Sequence, residues 1–343
     1  MSESVRVPQE LLNDIAKRFS VGERFTTAVL ARRLSTEELR GVTSFANLIA
    51  KFPPHEKQFR YALSTTIRGR NALNLLTADI PENARRYLDV GCAYGGYLRA
   101  FAERGLQVCG VEIAKPFARL GRIYCEESGL GTPIIEEDFL NTDTARLGTF
   151  DVITCSDVIE HVQRPQKALR LMSELLNENA VLFLAIPNRH CISSVQQDIH
   201  HRIFGIMLLP HYSAEKYHHD LLNSAYTIGE FYELEWYANI LKGHGLDVRV
   251  DYKTVSAPED IPTLMGALAG AFAEWSEKIA PTADAFMAHE IETRFCEYME
   301  HLCRDYRRYL VTHDAEAFSA RYLAPVWQII ARRTGLSKPN GPG

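Results

Sequence analysis

The sequence predicts an α/β fold built around a mostly parallel sheet, and three observations predict it. The run Arg86 to Leu98, R-Y-L-D-V-G-C-A-Y-G-G-Y-L, joins an apolar strand to a turn of small residues and then to a helical period. Strand-sized apolar runs and helical runs then alternate as far as Pro187. Each strand ends on polar residues, at Asp89, Glu112, Glu137-Asp138 and Ser156-Asp157, along the rim where open α/β sheets bind ligands.

Taken in chain order, residues 1–84 read as a helical cap, with helices over Leu11 to Phe19, Arg24 to Leu34, Thr36 to Lys51 and Glu56 to Leu76, and a break at Pro53-Pro54. Five strands follow: Tyr87 to Val90, Gln107 to Ile113, a short one ending in Glu137-Asp138-Phe139, one ending in Cys155-Ser156-Asp157, and Ala180 to Asn188. The segment 189–226 reads as a substrate lid, and Thr227 to His244 as a helix. Asp247 to Lys253 alternates as a sixth strand, and 258–322 reads as a helical insertion rich in aromatics. Val326 to Arg332 supplies a seventh strand, within a domain spanning 85–335, and the composition of 336–343 predicts a disordered tail.

Composition bounds the function. The chain has 343 residues, 46% of them hydrophobic, enough for a large core. A net charge of −5 gives no general attraction to nucleic acid. Seven cysteines without a C-x-x-C pair, with Cys92, Cys109 and Cys155 inside the sheet region, predict free thiols. No signal-like apolar segment opens the sequence, and the longest apolar stretch, Thr263 to Phe272, is too short for a membrane span of about 20 residues. These features predict a cytoplasmic enzyme with a small-molecule substrate, neither nucleic acid nor membrane as partner, and helical regions that offer a homodimer surface.

The glycine turn narrows the ligand. Gly91-x-x-x-Gly95, preceded by Asp89, departs from both phosphate-cradling glycine patterns and so disfavours a pyrophosphate. A nucleoside with a zwitterionic amino-acid tail fits better, because Asp89 can meet an ammonium group while Gly91, Cys92, Ala93, Tyr94 and Gly95 approach the ligand. Glu112, beside Ile113, lies about 20 residues past the turn, where an acid accepts both ribose hydroxyls. Asp138 suits an exocyclic amino group of the base, with the Phe139 amide at a ring nitrogen. Ser156 and Asp157 line the cofactor or the reaction cleft.

These five motifs in order, including F-D-V-I-T-C-S-D-V-I-E-H-V and A-V-L-F-L-A-I-P-N, resemble the class I S-adenosylmethionine-dependent methyltransferases, and within them the ubiquinone-pathway O-methyltransferases. The resemblance implies a Rossmann-like seven-stranded sheet whose last strand is antiparallel and lies between the fifth and sixth. It implies S-adenosyl-L-methionine as donor, with adenine as the base at Asp138, S-adenosyl-L-homocysteine as product, and Arg68 at the methionine carboxylate.

Methyl transfer from a sulfonium requires a positioned nucleophile and, for a hydroxyl, removal of its proton. Asp157, Glu160 and His161 are the candidate catalytic residues, with His161 as base. D-x-x-E-H resembles the E-x-x-E-H of the ubiquinone-pathway enzymes, which implies Mg²⁺ on Asp157, Glu160 and His161; the shorter Asp157 departs from that pattern, and a metal-free site is expected. Six of the twelve histidines fall between His190 and His219, and His201, His211, Tyr212 and His218 are the candidate substrate contacts. The resulting expectation is transfer to a hydroxyl of a glycan, polyketide or similar metabolite. The alternatives are methylation of nitrogen on a small molecule or peptide, and a cofactor-binding scaffold without catalysis.

Overall fold

The computed structural model describes residues 5–251 and 260–333. Seven strands, β1 (Arg86–Val90), β2 (Gln107–Val111), β3 (Ile134–Ile135), β4 (Phe150–Ser156), β5 (Leu176–Pro187), β6 (Leu246–Asp251) and β7 (Val326–Arg333), pair in the order β3-β2-β1-β4-β5-β7-β6. Six are parallel and β7 is antiparallel, between β5 and β6, as the resemblance implied. The chain divides into two compact units: Met1–Cys155, Leu171–Leu182 and Arg332–Gly343 in the first, Ser156–Arg170 and Phe183–Ala331 in the second. The helices before β1 thus share a unit with β1. The tail over 336–343 and the last two residues of the expected sixth strand, Tyr252 and Lys253, lie outside the described residues.

The first unit opens with α1 (Gln9–Phe19), α2 (Glu23–Leu30), α3 (Thr36–Leu39), α4 (Phe45–Lys51), α5 (Glu56–Leu63) and α6 (Thr65–Leu76). Two expected helices are each split in two. Gly41 takes φ 74° and Ser44 caps α4 by accepting from the Asn47 amide, so 36–51 cannot run as one helix. The second break comes at Ser64, in a Ser-Thr-Thr run whose hydroxyls compete for backbone partners. Burial of the run explains its retention: the Thr66 hydroxyl reaches the Ser20 carbonyl and the Tyr124 phenol.

The core of this unit forms where β1 meets α7 (Gly96–Glu103). The Tyr87 ring stacks on Phe101 at 3.9 Å, a pair worth about 0.5–1.5 kcal/mol beyond its buried area. β3 is shorter than expected and ends at Ile135, because the acids that follow turn to arginines: Glu136 to Arg122 and Glu137 to Arg146, both at 2.9 Å. Asp138 and Phe139 therefore lie beyond the strand, and Asp138 caps a short 3-10 turn over Phe139–Asn141.

Strand β5 is buried from Ala180 to Pro187, which accounts for its unbroken apolar run. The expected lid contains α11 (Ile192–Gln196) and α12 (His211–Leu222), following α8 (Lys115–Glu127), α9 (Thr144–Leu147) and α10 (Pro165–Glu174) earlier in the chain. The helix expected from Thr227 begins only at Leu234, as α13 (Leu234–Gly243), since the preceding segment is pinned by a hydrogen bond from the Gly229 amide to the Glu160 carbonyl. The insertion is helical as expected, with α14 (Ile261–Lys278), α15 (Ala285–Thr312) and α16 (Ala315–Tyr322). Its Trp275, Phe295 and Tyr298 pack with Ile203, Phe204 and Tyr217 of the lid segment in one apolar cluster, while Phe286 stands exposed.

Glycine is required where α6 crosses the start of α7. A Cβ on Gly69 would run into the Gly96 carbonyl, and one on Gly96 into the Thr65 carbonyl, so backbone approaches backbone directly. We expect Gly69→Ala to lower stability by about 1–3 kcal/mol in chemical denaturation, the range for overpacking; an unchanged midpoint would show that the crossing can open without loss.

Candidate functional site

Within the first unit, β1 carries Asp89 to its C-terminal end with only 4% of the residue exposed. The Thr154 hydroxyl donates to Asp89 Oδ1 at 2.7 Å, and the Tyr87 phenol lies 2.5 Å from the same hydroxyl. Having given its single proton to Asp89, Thr154 accepts from Tyr87, so the three form a directed chain. Burial pushes the Asp89 carboxyl up to about 7; the Thr154 hydrogen bond and the Arg68 charge oppose that rise, and the Glu112 charge adds to it.

The turn after β1 takes left-handed backbone at Gly91 (φ 74°), Ala93 (φ 43°) and Gly95 (φ 77°). For Ala93 this geometry costs roughly 1–2 kcal/mol. Glu112 secures it: Oε2 accepts from the Ala93 amide at 2.9 Å, and Oε1 from the Ala114 amide at 2.7 Å. Each oxygen keeps a further lone pair for a ligand hydroxyl. Beside it Ile113 is 66% exposed, an apolar face left bare at the strand tip.

The turn side chains themselves are absorbed by packing. Cys92 Sγ fills the space over Gly110, and burial pushes its thiol well above the usual range. Tyr94 is buried among Phe25, Tyr61 and Phe117 at edge-to-face distances of 5.2 to 5.9 Å. Arg68 lies over the Tyr61 ring at 3.9 Å and donates to the Tyr61 carbonyl, while its buried Nε has no hydrogen-bond partner among the described residues. Asp138 accepts from the Leu140 amide and the Asn141 side chain, and Phe139 is buried.

Within the second unit, the Ser156 hydroxyl is buried without a hydrogen-bond partner among the described residues, and Asp157 is exposed, in left-handed backbone at φ 54°. A 3-10 turn over Ile159–His161 then directs Glu160 inward, its side chain wholly buried. His161 Nε2 lies 4.0 Å and His200 Nε2 3.7 Å from the same Glu160 Oε1. Glu160 and His161 are thus brought together as expected, but with His200 as the third member rather than Asp157. Sequence reasoning missed His200 because it comes from the segment after β5; the His200-His201 pair following Asp198 was the available signal.

Among the expected substrate contacts, His201 and His218 lie ring to ring, with Nδ1 and Nε2 at 3.2 Å, and the Tyr226 ring lies 5.3 to 5.9 Å from His201, His211 and His218. Burial and the nearby Asp198 and Glu230 carboxylates raise the Tyr226 phenol above its ordinary range. Tyr212 points outward, 77% exposed. All seven cysteines are free, and no helix among the described residues is long and apolar enough to cross a membrane.

A family model for the methyltransferase domain matches residues 57–249. The chain is 30% identical over 117 residues to a ubiquinone biosynthesis O-methyltransferase of Xanthomonas axonopodis pv. citri, covering 34% of this chain and 49% of the relative. It is 36% identical over 109 residues to the one from Histophilus somni, covering 31% and 46%. The chain spans about half the length of the curated relatives it matches. Among solved structures, a SAM dependent methyltransferase from Archaeoglobus fulgidus is 17% identical, with a TM-score of 0.46 over 82% of this chain and 99% of that one.

The raised Asp89 carboxyl has a measurable consequence for the unliganded protein. A group whose folded value lies above its unfolded one contributes stability below the unfolded value, and that contribution is lost as pH rises through the folded value. With 3.8 as the ordinary value and about 7 in the fold, the loss falls between about pH 4 and 7. The stability of Asp89→Asn relative to the wild type should therefore increase by roughly 4 kcal/mol between pH 4 and pH 8; a difference independent of pH would contradict the assignment.

Proposed function

Because the chain belongs to the class I S-adenosylmethionine-dependent methyltransferases, we propose that it transfers a methyl group from S-adenosylmethionine to a hydroxyl oxygen of a small molecule. The observation that carries this reading is the pair of buried carboxylates, Asp89 and Glu112, at the ends of two adjacent parallel strands. Neither has a cation in hydrogen-bond contact among the described residues, and a sulfonium with an ammonium tail supplies one. Asp89 takes the ammonium group. Glu112 takes the ribose hydroxyls on its remaining lone pairs, and exposed Ile113 covers a face of the adenine. Asp138 and the Phe139 amide meet the adenine edge, and Arg68, whose Nε has no hydrogen-bond partner among the described residues, takes the methionine carboxylate.

Transfer itself requires no protein nucleophile, because the sulfonium carbon is attacked directly by the acceptor oxygen while the sulfur leaves with its bonding pair. The protein's task is to orient the acceptor and remove its proton. The buried Glu160 with His161 and His200 is the group we assign to that task, with His161 as the base of the metal-free protein. The edge of this unit carrying His201, His211, His218 and Tyr226 is assigned to the acceptor. Preference for oxygen over nitrogen is supported by this acid-histidine set and by the O-methyltransferase activity for which the ubiquinone-pathway relatives are named.

The test is methyl transfer to matched phenol and amine panels, with His161→Ala as the variant. We expect methylated phenols from the wild type. The variant should bind S-adenosylhomocysteine within about twofold of wild type while turnover falls by about 10²–10⁴, the range for removing a general base. Methylated amines alone would overturn the choice of oxygen, and undiminished turnover would make His161 structural.

A further inference from the structure

We infer that Glu160, His161 and His200 form a binding site for a borderline divalent cation of the zinc type, with two imidazoles and one carboxylate as ligands. The set differs from the oxygen-rich one that the sequence resemblance implies: Asp157 is exposed and does not join it, and His200 takes that place from a different segment.

Four observations carry the inference. Glu160 is wholly buried at its side chain, yet neither Oε1 nor Oε2 accepts a hydrogen bond among the described residues. A buried ionised carboxylate in that state costs several kcal/mol unless a positive charge faces it. The two imidazole nitrogens nearest to it, at 3.7 and 4.0 Å, stand too far away to donate a hydrogen bond. Ligands bound to a tetrahedral ion at about 2.1 Å lie about 3.4 Å apart, so the two distances from Glu160 to the imidazoles need contract only by a few tenths of an ångström.

The tautomer points the same way. His161 Nδ1 is 2.9 Å from the Thr227 carbonyl, which only accepts, so Nδ1 carries a proton and, in the neutral form of the ring that a metal requires, the lone pair is on Nε2, the nitrogen that faces Glu160. A lone pair facing a carboxylate is unfavourable without an ion between them. His200 is placed through its backbone: the buried Asp198 carboxylate accepts from the His200, His201 and Ile203 amides, while His200 Nδ1 lies 3.9 Å from it, beyond hydrogen-bond reach. An imidazole backed by a carbonyl, as His161 is, has the usual second layer of a metal ligand. The rings of His161 and His200 cross edge to face at 90° and 5.2 Å, so both nitrogens converge on one volume. All three ligand atoms lie within 4.8 Å of one another.

Two imidazoles select Zn²⁺ or Fe²⁺ over Mg²⁺, which prefers oxygen ligands. Three protein ligands leave a coordination position open. The ion would fasten the segment after β4 to the one after β5. In its presence His161 is a ligand, and the cluster acts on an acceptor hydroxyl by making it more acidic. That role, though not the binding, rests on the function proposed above.

The test is calorimetric titration of chelator-treated full-length protein with Zn²⁺, without acceptor, and thermal unfolding with and without the ion. We expect one equivalent to bind with a rise in Tm, unaffected by millimolar Mg²⁺. His200→Ala, the milder His200→Gln and Glu160→Gln should each weaken binding at least 100-fold, with circular dichroism confirming the fold, while Asp157→Asn leaves affinity within about threefold. No stoichiometric binding by the wild type, binding that survives both His200 variants, or loss of binding in Asp157→Asn would overturn the inference. A protein that fails to bind zinc can still methylate phenols, and one that binds zinc can fail to, so the two proposals fail separately.

Discussion

A carboxylate at the end of a fully buried parallel strand is the constraint around which the first unit is organised. Asp89 lies between two strands, with Thr154 of β4 on one side and Gly110 of β2 opposite, and its charge is poorly solvated. A hydroxyl chain from Tyr87 through Thr154 supplies one hydrogen bond, which does not offset the burial. The cost is tolerable if the unliganded protein holds a proton near neutral pH and a cationic ligand displaces it. Glu112 adds a second carboxylate, already committed on each oxygen to holding the strained turn at Ala93. The same residue thereby shapes the turn and keeps a further lone pair on each oxygen.

Close backbone packing surrounds these acids. The crossing of α6 over α7 at Gly69 and Gly96 leaves no room for side chains, and it fixes the position of the segment bearing Arg68. Cys92 against Gly110 and Tyr94 among three aromatic rings lock the turn from beneath. Residues contiguous in the glycine turn thus divide by job, with backbone at Gly91, Ala93 and Gly95 shaping it and side chains at Cys92 and Tyr94 holding it.

What was legible in the sequence follows from the range of the forces involved. Whereas the place of β7 came from the family resemblance, the strands themselves and the positions of Asp89 and Glu112 were readable because continuous apolar runs and a glycine turn encode them locally. The end of β3 was not, since it is set by ion pairs to Arg122 and Arg146 on other elements. The splits at Gly41 and Ser64 were visible as residue types but were outweighed by helical periodicity. Glu160 with His161 was legible as a motif; its pairing with His200 was not, because no local pattern joins the segment after β4 to the loop after β5.

The central claim is that a cationic nucleoside ligand balances the Asp89 charge. Calorimetric titration with S-adenosylmethionine at pH 6.5, in two buffers of different ionisation enthalpy, tests it most directly. Binding should release a proton to the buffer in the wild type, and that release should vanish in Asp89→Asn. Absence of binding, or binding with identical proton release in both proteins, would contradict it.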